Sequence, residues 1–321
     1  MTFPVLFDDF TAVARSLRGA VVPLGNFDGV HRGHQALLAR AAEIARPHAA
    51  PVLALTFEPH PRSYFVADTA PFRLTSPTAK ARLLGEYGVA AVLAQRFDQA
   101  FAAMDATAFV ELVLQRGLGA RHAICGYDFT FGARRSGNVD MLQRLGERCG
   151  VGITVVPPVT FEGEIYSSTR IREALRGGAV AQAADLLGHQ WEIEGMVEHG
   201  DQRGRTIGFP TANVALGEYL RPRFGVYAVR AGLERQGSWV WHDAVANLGR
   251  RPTFGKIAEN FEIHIFDFAE DIYGRSLRVR FVEFIRPEMK FSGLDQLKAQ
   301  IAADSEAARR IHAQATPSAP H

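Results

Sequence analysis

The sequence lacks the features of a secreted or membrane protein. Its 321 residues include only two cysteines, Cys125 and Cys149, too few for a disulfide framework or a four-thiolate metal site. The N-terminus has no basic segment followed by an apolar run and a small-residue cleavage site, so no signal peptide is predicted. No segment approaches the roughly 20 apolar residues that span a bilayer. These absences predict a reduced, cytoplasmic protein.

The sequence also has little net charge. Its 36 basic and 34 acidic side chains leave a formal charge of +2, which gives no reason to expect a nucleic-acid or membrane-surface partner. Apolar residues make up 47 % and charged residues 22 %, as in soluble globular proteins. The length exceeds what one compact domain usually needs, so two domains are predicted. Residues 313–321, small and proline-containing, are predicted to be a disordered tail.

From about Ala20 to Val156 the sequence alternates short apolar runs with helical patterns. Strands are predicted at 20–27, 51–57, 89–97, 120–129 and 152–158, with helices at 33–46, 78–86, 105–116 and 138–149. Near-continuous apolar strands separated by helices indicate a parallel sheet that is covered on both faces. Residues 1–187 are therefore predicted to form an α/β domain.

The pattern changes after about Leu187. Strands are predicted within 191–200, 224–233, 238–249, 260–268 and 276–285, without helices between them. The segment FEIHIFDF alternates, so that Glu262 and His264 share one face while Phe261 and Ile263 share the other. This pattern predicts an all-β domain over residues 188–312, an antiparallel barrel or sandwich closed by a helix at 294–312.

The segment GNFDGVHRGH, residues 25–34, ends the first predicted strand and opens the first predicted helix. Ligands of open α/β sheets bind at this position, where free N–H groups attract anions. Its three glycines allow a ligand to approach the backbone closely. Neither the P-loop nor the G-x-G-x-x-G motif is present. We interpret His31 and His34 as a phosphate-contacting pair, with a metal site or ordinary packing as the alternatives.

A second phosphate-binding segment is SSTRIREAL, residues 167–175, which begins a helix after the fifth predicted strand. Ser168 or Thr169 would cap a helix in any protein, so their hydroxyls do not by themselves indicate a ligand. Arg172 is more informative, because a guanidinium fits phosphate well.

Two further segments follow predicted strand ends and are expected to line the same crevice. They are TFEPHP, residues 56–61, and GYDFTFGARRSG, residues 126–137. Asp128, Phe129 and Phe131 suit a flat ring with polar edges, although local core packing is the alternative for the two phenylalanines.

These four segments resemble a known family. GNFDGVHRGH looks like the H-x-G-H signature of the adenylyltransferase superfamily, in which a Rossmann-like parallel sheet binds ATP, and SSTRIREAL resembles its second signature. Together the four resemble the N-terminal module of prokaryotic bifunctional FAD synthetases, in which FMN is adenylylated. The resemblance implies catalytic roles for His31, His34 and Arg172. It implies ATP contacts at Gly25, Asn26, Phe27, Asp28, Gly33, Ser168 and Thr169, and flavin contacts at Pro59, Asp128, Phe129 and Phe131.

The most specific segment of the second half is GDQRGRTIGFPTANV, residues 200–214. Thr211 and Asn213 present oxygens two residues apart, on one face if the chain is extended. Such oxygens suit Mg²⁺ that is shared with substrate phosphates. The alternative is a simple turn that leads into a strand.

This segment resembles the riboflavin kinase signature, and the similarity continues through ANLGRRPTF, FEIHIFDF, DIYG and FIRPEMKF. In that family the Glu of the E-x-H strand is the base for the ribityl hydroxyl. It corresponds here to Glu262, for which a solvated surface position is the alternative. The resemblance implies metal contacts at Thr211 and Asn213, ATP contacts at Arg205, Gly208, Phe209 and Pro210, and a flavin contact at Arg251. One departure is His189-Gln190-Trp191, where the family usually has Arg-Pro and an aromatic residue.

The resemblance covers about residues 15–312 and implies two reactions. The antiparallel barrel would phosphorylate riboflavin with ATP and Mg²⁺, and the Rossmann-like nucleotidyltransferase domain would adenylylate the FMN to FAD. Flavins would be substrates and products, with no nucleic-acid or membrane partner, and homo-oligomerisation is left open. The alternatives are an enzyme that retains one of the two activities and a flavin carrier without turnover.

Overall fold

The computed structural model describes residues 3–66, 70–161, 163–199, 208–253 and 256–314. The chain divides into two compact units: Met1–Ala70 with Pro77–Ser167, and Pro71–Ser76 with Ser168–His321. The predicted domains and the compact units differ over Pro71–Ser76 and residues 168–187, which both cluster with the second unit. The boundary at Leu187 stays a prediction about the sequence domains.

The first unit alternates strands with helices. Its strands are β1 (Val5–Phe7), β2 (Val21–Pro23), β3 (Leu53–Glu58), β4 (Ala91–Arg96), β5 (His122–Gly126), β6 (Gly152–Val156), β7 (Thr160–Phe161) and β8 (Glu164–Ile165). Its helices are α1 (Arg32–Ala45), α2 (Pro61–Phe65), α3 (Pro77–Glu86), α4 (Gln99–Ala102), α5 (Ala106–Ala108), which continues as a π-helix over Phe109–Gly117, and α6 (Val139–Cys149). Short 3-10 turns lie at Phe10–Ala12, Arg15–Leu17, Arg46–His48 and Ala133–Arg135. The five predicted strands and four predicted helices are present, whereas β1 and the short helices α2 and α4 were not predicted.

The sheet of the first unit is parallel. Its strands pair as β1-β4-β3 and as β2-β5-β6, and single bridges at Val21–Val52 and Leu24–Leu55 connect β2 to β3. The order is therefore β1-β4-β3-β2-β5-β6. After β2 the chain adds β3 and β4 on one side of this strand and then β5 and β6 on its other side. The segment that follows β2 lies between β3 and β5, at the switch point where open α/β sheets bind ligands.

Both faces of this sheet are covered, as the continuous apolar strands predicted. Leu53 and Leu55 join a buried cluster that includes side chains of α5, its π-helical extension and α6. Ala54 faces the other way and joins a cluster with residues of α1 and α3, Leu38 and Leu84 among them. Alternate residues of one strand thus supply two separate cores.

The second unit contains the barrel. Its elements are α7 (Ser168–Gly177), α8 (Val180–Leu187), β9 (Glu192–Glu198), β10 (Ala212–Val214), β11 (Gly225–Arg235), β12 (Ser238–Thr253), β13 (Lys256–Ile265), β14 (Ser276–Pro287) and α9 (Leu294–Gln314). Among the described residues, strands close an antiparallel barrel in the order β10-β13-β12-β11-β14-β9. The structure therefore confirms the barrel rather than the sandwich. Helix α9 includes Ala313 and Gln314, and the rest of the predicted tail lies outside the described residues.

Aromatic rings fill the barrel and α9 covers part of its outer face. The rings of Phe261 and Phe281 stack at 5.7 Å inside, with Trp191 against Phe281 at 4.8 Å. Outside, Ala308 of α9 packs on a small buried cluster that contains Val226 and other barrel residues. No helix in the described part of the chain has the length and hydropathy needed to cross a bilayer.

A six-residue segment from early in the sequence belongs to this second unit. We call Pro71–Ser76 the strap. The buried indole of Trp191 donates a hydrogen bond to the Leu74 carbonyl at 2.8 Å, and Arg172 Nε donates to the Phe72 carbonyl at 2.8 Å. Arg73 pairs with Glu218 at 2.8 Å. Trp191, in the stretch that departs from the family pattern, is therefore a structural contact of the strap.

Two candidate active sites

The first candidate site is the connection between β2 and α1, residues 25–31, which we call the histidine loop. Before it, Leu24 N donates to the Ile124 carbonyl of β5, and Gly25 N donates to the Leu55 carbonyl of β3. Both neighbouring strands thus hold the start of the loop. The loop ends at His31, the residue that precedes α1. It therefore places the first turn of a 14-residue helix at the switch point.

The histidine loop has a strained backbone. Phe27 and Val30 adopt positive φ angles of 49° and 41°, in the left-handed region that β-branched and bulky residues rarely enter. Both side chains are fully buried. Such strain, on the order of 1–3 kcal/mol for each residue, persists only where surrounding contacts enforce it, and it is concentrated at functional sites. One such contact is the hydrogen bond from Gln35 Nε2 to the Val30 carbonyl at 2.9 Å.

The two histidines are stacked on each other. The ring centroids of His31 and His34 are 3.7 Å apart with an interplanar angle of 21°. Phe27 contacts His34 edge-on at 5.2 Å. A side chain at Gly33 would bring a Cβ to 3.1 Å from Cε1 and 3.2 Å from Nδ1 of His31. Glycine at this position therefore leaves room for the stacked pair.

His34 is held in its neutral form. Burial lowers the pKa of His34 well below its usual 6.5, and the positive charges of His31 and Lys80 lower it further. Nδ1 of His34 is buried and has no hydrogen-bond partner among the described residues. Because a buried N–H without an acceptor is especially unfavourable, we assign the single proton of the neutral ring to Nε2. His34 can therefore donate one hydrogen bond at neutral pH.

A buried lysine behind the histidine loop was not predicted from the sequence. Lys80 of α3 is only 3 % exposed. Its Nζ lies 3.1 Å from Glu58 Oε1 and 3.3 Å from Thr56 Oγ1. Thr56 in turn donates to the carbonyl of Asn26 at 3.1 Å. The segment TFEPHP was singled out, but nothing in the helical pattern of α3 indicated that its lysine would be buried.

The predicted ATP contacts of the histidine loop are four consecutive residues, Gly25, Asn26, Phe27 and Asp28. Gly25, Asn26 and Asp28 precede α1 directly, and Asp28 is buried. The ring of Phe27 lies in the core, so any contact of this residue with ATP would use its backbone.

The second phosphate-binding segment lies in the second compact unit. Helix α7 begins at Ser168, so Ser168 and Thr169 form its first turn and Ser167 precedes it. Arg172 is buried, and its guanidinium lies 5.4 Å from the Phe72 ring, in addition to its bond to the Phe72 carbonyl. The ATP contacts of these residues stay predictions.

The predicted flavin contacts differ in exposure. Pro59 is exposed directly after β3, and Asp128 is exposed directly after β5. Phe129 is half-buried, whereas Phe131 is buried and lies 5.3 Å from the Phe109 ring in the core. Phe131 therefore has the packing role that the sequence left open as the alternative.

Exposed aromatic rings near Pro59 were missed. Phe65 is 65 % exposed, and both it and Tyr64 of α2 contact Phe97 edge-on, at 5.7 and 5.4 Å. Phe97 follows β4 and donates its N–H to the Glu58 carbonyl at the end of β3. Flat apolar rings thus collect beside the ends of β3 and β4. Their signal in the sequence is the SYF triplet of α2.

The second candidate site is built by strand register. Glu262 of β13 lies directly opposite Asn213 of β10 on one side and Asn247 of β12 on the other. Cross-strand neighbours have Cβ atoms about 5 Å apart, so one carboxylate is flanked by two amides. All three alternate with buried residues and therefore face away from the barrel core. Asn247, within ANLGRRPTF, was not named as a site residue from the sequence.

His264 connects the strand of Glu262 to the GFPTAN segment. Because a carbonyl only accepts, His264 Nδ1 donates to the Pro210 carbonyl at 2.8 Å. The Phe209 ring contacts His264 edge-on at 5.7 Å. Gly208 has a φ of 91°, which favours glycine. The histidine of the E-x-H strand therefore fixes the start of the predicted ATP and metal segment.

Glu288 is a further carboxylate, close to Gly249 and Arg250 of β12. Its Oε1 accepts a hydrogen bond from Arg250 N at 2.9 Å and would lie 2.9 Å from a Cβ added at Gly249. Arg205 and the side chain of Arg251, both predicted contacts, lie outside the described residues.

The described residues contain no group of three or more histidine, cysteine, aspartate or glutamate side chains that could hold a metal ion. Thr211 and Asn213 offer a hydroxyl and an amide oxygen, with the Glu262 carboxylate beside Asn213. This sparse oxygen set fits Mg²⁺, which keeps several waters and binds substrate phosphates.

A cavity of about 430 Å³ lies elsewhere in the second unit, between the barrel and the end of α9. Trp241, His242, Arg309 and His312 are among its lining residues. None of the predicted site residues lines it.

Comparison with known proteins identifies a family for each half of the chain. Residues 13–170 match the FAD synthetase family and residues 187–312 match the riboflavin kinase family. The bifunctional riboflavin kinase/FMN adenylyltransferase of Escherichia coli K12 is 45 % identical over 91 % of this chain and 93 % of its own. The Bacillus subtilis 168 protein of the same description is 37 % identical over 91 % of this chain and 92 % of its own.

A solved structure is similar over nearly the whole chain. It is described as a macrolide-efflux protein from Streptococcus pneumoniae, and it is 34 % identical with a TM-score of 0.84. The similarity covers 96 % of this chain and 99 % of that one. The arrangement of an α/β unit followed by a barrel is thus shared over both halves.

Proposed function

The chain belongs to the family of bifunctional riboflavin kinases/FMN adenylyltransferases, and from that premise we propose which residues perform each reaction. It is a transferase with two activities. The riboflavin kinase half converts riboflavin to FMN with ATP, and the FAD synthetase half converts FMN to FAD with a second ATP, releasing pyrophosphate. The order of the two family matches along the chain is the predicted order.

In the adenylylation, a phosphate oxygen of FMN bonds to the α-phosphorus of ATP while the bond to the β-phosphate breaks. The attacking phosphate is already ionised at pH 7, so this step needs positioning and charge stabilisation rather than a base. We assign these tasks to His31, to the Nε2–H of His34 and to the N–H groups at the start of α1. Arg172, Ser168 and Thr169 stay proposed triphosphate contacts on the resemblance of their segment alone.

In the phosphorylation, the ribityl hydroxyl oxygen bonds to the γ-phosphorus of ATP, and ADP leaves. This hydroxyl must lose its proton, and we assign that proton to the carboxylate of Glu262. Asn213 and Asn247 beside it, in strand register, orient groups that approach the carboxylate. The segment Gly208–Pro210, fixed by His264, is the proposed ATP contact.

Mg²⁺ would be held by Thr211 and Asn213 together with substrate phosphates. It would neutralise charge on the transferred phosphoryl group. We also assign the protein to the cytoplasm, which the two cysteines support, since Cys125 and Cys149 are both free thiols.

The flavin subsite of the first unit is proposed at Pro59, Asp128 and Phe129. Phe65 and Tyr64 are added because their exposed rings lie near the end of β3 and offer a surface for a flat ring.

The distribution of titratable groups carries this proposal. A carboxylate flanked by amides lies in the half whose substrate must lose a proton, whereas a neutral imidazole lies in the half whose nucleophile is already ionised. A chromatographic time course of riboflavin, FMN and FAD, with purified protein, ATP and Mg²⁺, tests it. FMN that rises and then gives way to FAD is expected. FMN that accumulates without FAD, or riboflavin that stays unchanged, would show that one half is silent.

A further inference from the structure

The ammonium group of Lys80 is almost excluded from water. Moving a charge out of water is unfavourable by several kcal/mol unless ion pairs and hydrogen bonds replace the lost hydration. Lys80 has both kinds of contact, to the Glu58 carboxylate and to the Thr56 hydroxyl. A methionine of similar length would fill the same space in the helix without either requirement. The presence of a charge here therefore calls for an explanation beyond packing.

One of the two contacts of Lys80 leads toward the histidine loop. Its ammonium donates to Thr56 Oγ1, and the Thr56 hydroxyl proton is then free to bond the Asn26 carbonyl at 3.1 Å. Donors in series polarise one another, so the charge strengthens the second bond. Asn26 is adjacent to Phe27, the first strained residue of the loop. The chain from Lys80 to Asn26 is thus one of the contacts that can enforce the strained backbone.

We propose that Lys80 is a positioning residue of the adenylylation site: its buried charge, acting through Thr56, fixes the Asn26 carbonyl and hence the loop that presents His31 and His34. This inference rests on the proposed role of the two histidines. Lys80 itself touches no reacting atom in this scheme. It acts through Thr56 on the backbone and through space on the imidazoles.

The charge of Lys80 has a second consequence, on protonation. It is one of the causes that lower the pKa of His34, after burial and the charge of His31. Two further titratable groups lie beside these residues: Glu58 pairs with Lys80, and the Cβ of Tyr166 would lie 3.5 Å from a Cβ added at Gly33. With its pKa lowered, His34 stays neutral above that value and gains a proton only as the pH falls through it. Removal of the nearby cation raises the pKa, so protonation begins at a higher pH.

The test compares Lys80→Met with Thr56→Val. Lys80→Met removes the charge and the contact, and we expect about 100-fold slower conversion of FMN to FAD, as for a misplaced catalytic group. The acid limb of the pH–rate profile of Lys80→Met should move to higher pH. The titration of the His34 ring, followed by NMR, should move in the same direction. Thr56→Val removes the hydroxyl that joins Lys80 to the Asn26 carbonyl but keeps the charge of Lys80 and its ion pair with Glu58. It should slow the same reaction without moving the acid limb.

Controls separate this inference from the underlying assignment. Arg82→Met removes a cation from the same helix, one that pairs with Glu86, and should leave rate and profile unchanged. Lys80→Arg should restore most of the activity. Phosphorylation of riboflavin should be the same in all variants.

Two results would overturn the role of Lys80. One is a wild-type rate of FAD formation in Lys80→Met. The other is a slower rate in Lys80→Met with neither a shift of the His34 titration nor recovery of the rate in Lys80→Arg. If instead His31→Ala and His34→Ala both form FAD normally, the proposed function of the loop fails, whatever Lys80 does.

Discussion

The two candidate sites are built by different means. In the first unit, the site is an irregular loop with strained backbone angles at Phe27 and Val30, and His31 at its end stacks on His34 of α1. In the second unit, Asn213 and Glu262 sit in regular strands, and register alone places them side by side. One site depends on contacts that force a loop into shape, whereas the other depends on a sheet that would form without it.

This difference fits the chemistry that we propose for each site. An ionised phosphate nucleophile needs donors held in fixed positions, which a loop at a helix start supplies through N–H groups and imidazoles. A hydroxyl nucleophile needs a base, and one carboxylate in a strand suffices if its neighbours orient it. The loss of one group should therefore affect only one reaction. The following predictions test that separation, from the largest expected effect to the smallest.

Glu262→Gln should have the largest effect. The amide cannot accept the hydroxyl proton, so we expect FMN formation from riboflavin to fall about 1,000-fold, within the usual range for loss of a general base. FAD formation from added FMN should not change. Initial rates of both reactions, measured by chromatography, check this.

The matched control for this change is Glu259→Gln on the same strand. Glu259 pairs with Arg221 at 2.5 Å and lies outside the Asn213–Glu262–Asn247 register. It should leave FMN formation within about twofold of wild type, as is usual for surface changes. A Glu262→Gln enzyme that keeps half its kinase rate would rule out this carboxylate as the base.

His34→Ala should have the opposite pattern. It removes the donor that we propose for the developing charge, so FAD formation from FMN should fall about 100-fold while FMN formation is retained. Steady-state rates with saturating ATP and FMN measure the loss. His48→Ala, which removes an exposed histidine after α1, is the control and should have no effect. Equal loss of both reactions in His34→Ala would contradict two separate sites.

The position of the first site could be predicted from the sequence, because apolar strands and a glycine-rich strand-to-helix junction are local patterns. Lys80 could not. Its helix shows an ordinary pattern, and the groups that accept from its buried ammonium, Glu58 and Thr56, belong to another element, β3. A contact between residues that are distant in sequence leaves no periodic signal. The strained residues Phe27 and Val30, which precede His31, and the stacking of His31 on His34 also leave no periodic signal.

The second site shows the same limit in another form. The alternation of FEIHIFDF correctly placed Glu262 on the face opposite Phe261, because period two is a property of one strand. The partners of Glu262 depend on the register of two other strands, which a single sequence does not specify. Asn247 was therefore missed although its segment was quoted. The strap was missed for a similar reason, since Leu74 and Trp191 are far apart in the chain.

Trp191→Phe tests how far the second unit depends on the strap. The change removes the indole N–H that bonds the Leu74 carbonyl at 2.8 Å and leaves that buried carbonyl without this donor. Together with the smaller ring, this should lower the free energy of unfolding by about 2 kcal/mol. All tryptophans of the chain, Trp191, Trp239 and Trp241, lie in the second unit, so fluorescence during urea unfolding reports on that unit.

Trp239→Phe is the control for this measurement, because the Trp239 ring lies against the guanidinium of Arg278, at 4.6 Å. It should shift the urea midpoint less than Trp191→Phe does. Equal shifts for the two variants would mean that ring size, and not the bond to Leu74, decides the stability.

His264→Phe should have the smallest effect and the most specific one. It keeps an aromatic ring against Phe209 but loses the donor to the Pro210 carbonyl. One such hydrogen bond contributes about 1 kcal/mol, which corresponds to about a fivefold change. We expect this change in the KM for ATP of the kinase reaction, with kcat nearly unchanged, because Pro210 belongs to the proposed ATP contact.

The control is His242→Phe, a histidine of the same unit whose Nε2 has no hydrogen-bond partner among the described residues. It should change neither constant. If His264→Phe instead lowers kcat at saturating ATP, then His264 acts with Glu262 on the hydroxyl rather than on the nucleotide segment. The barrel site would then need fixed positioning as much as the histidine loop does, and the contrast between the two sites would be one of backbone geometry alone.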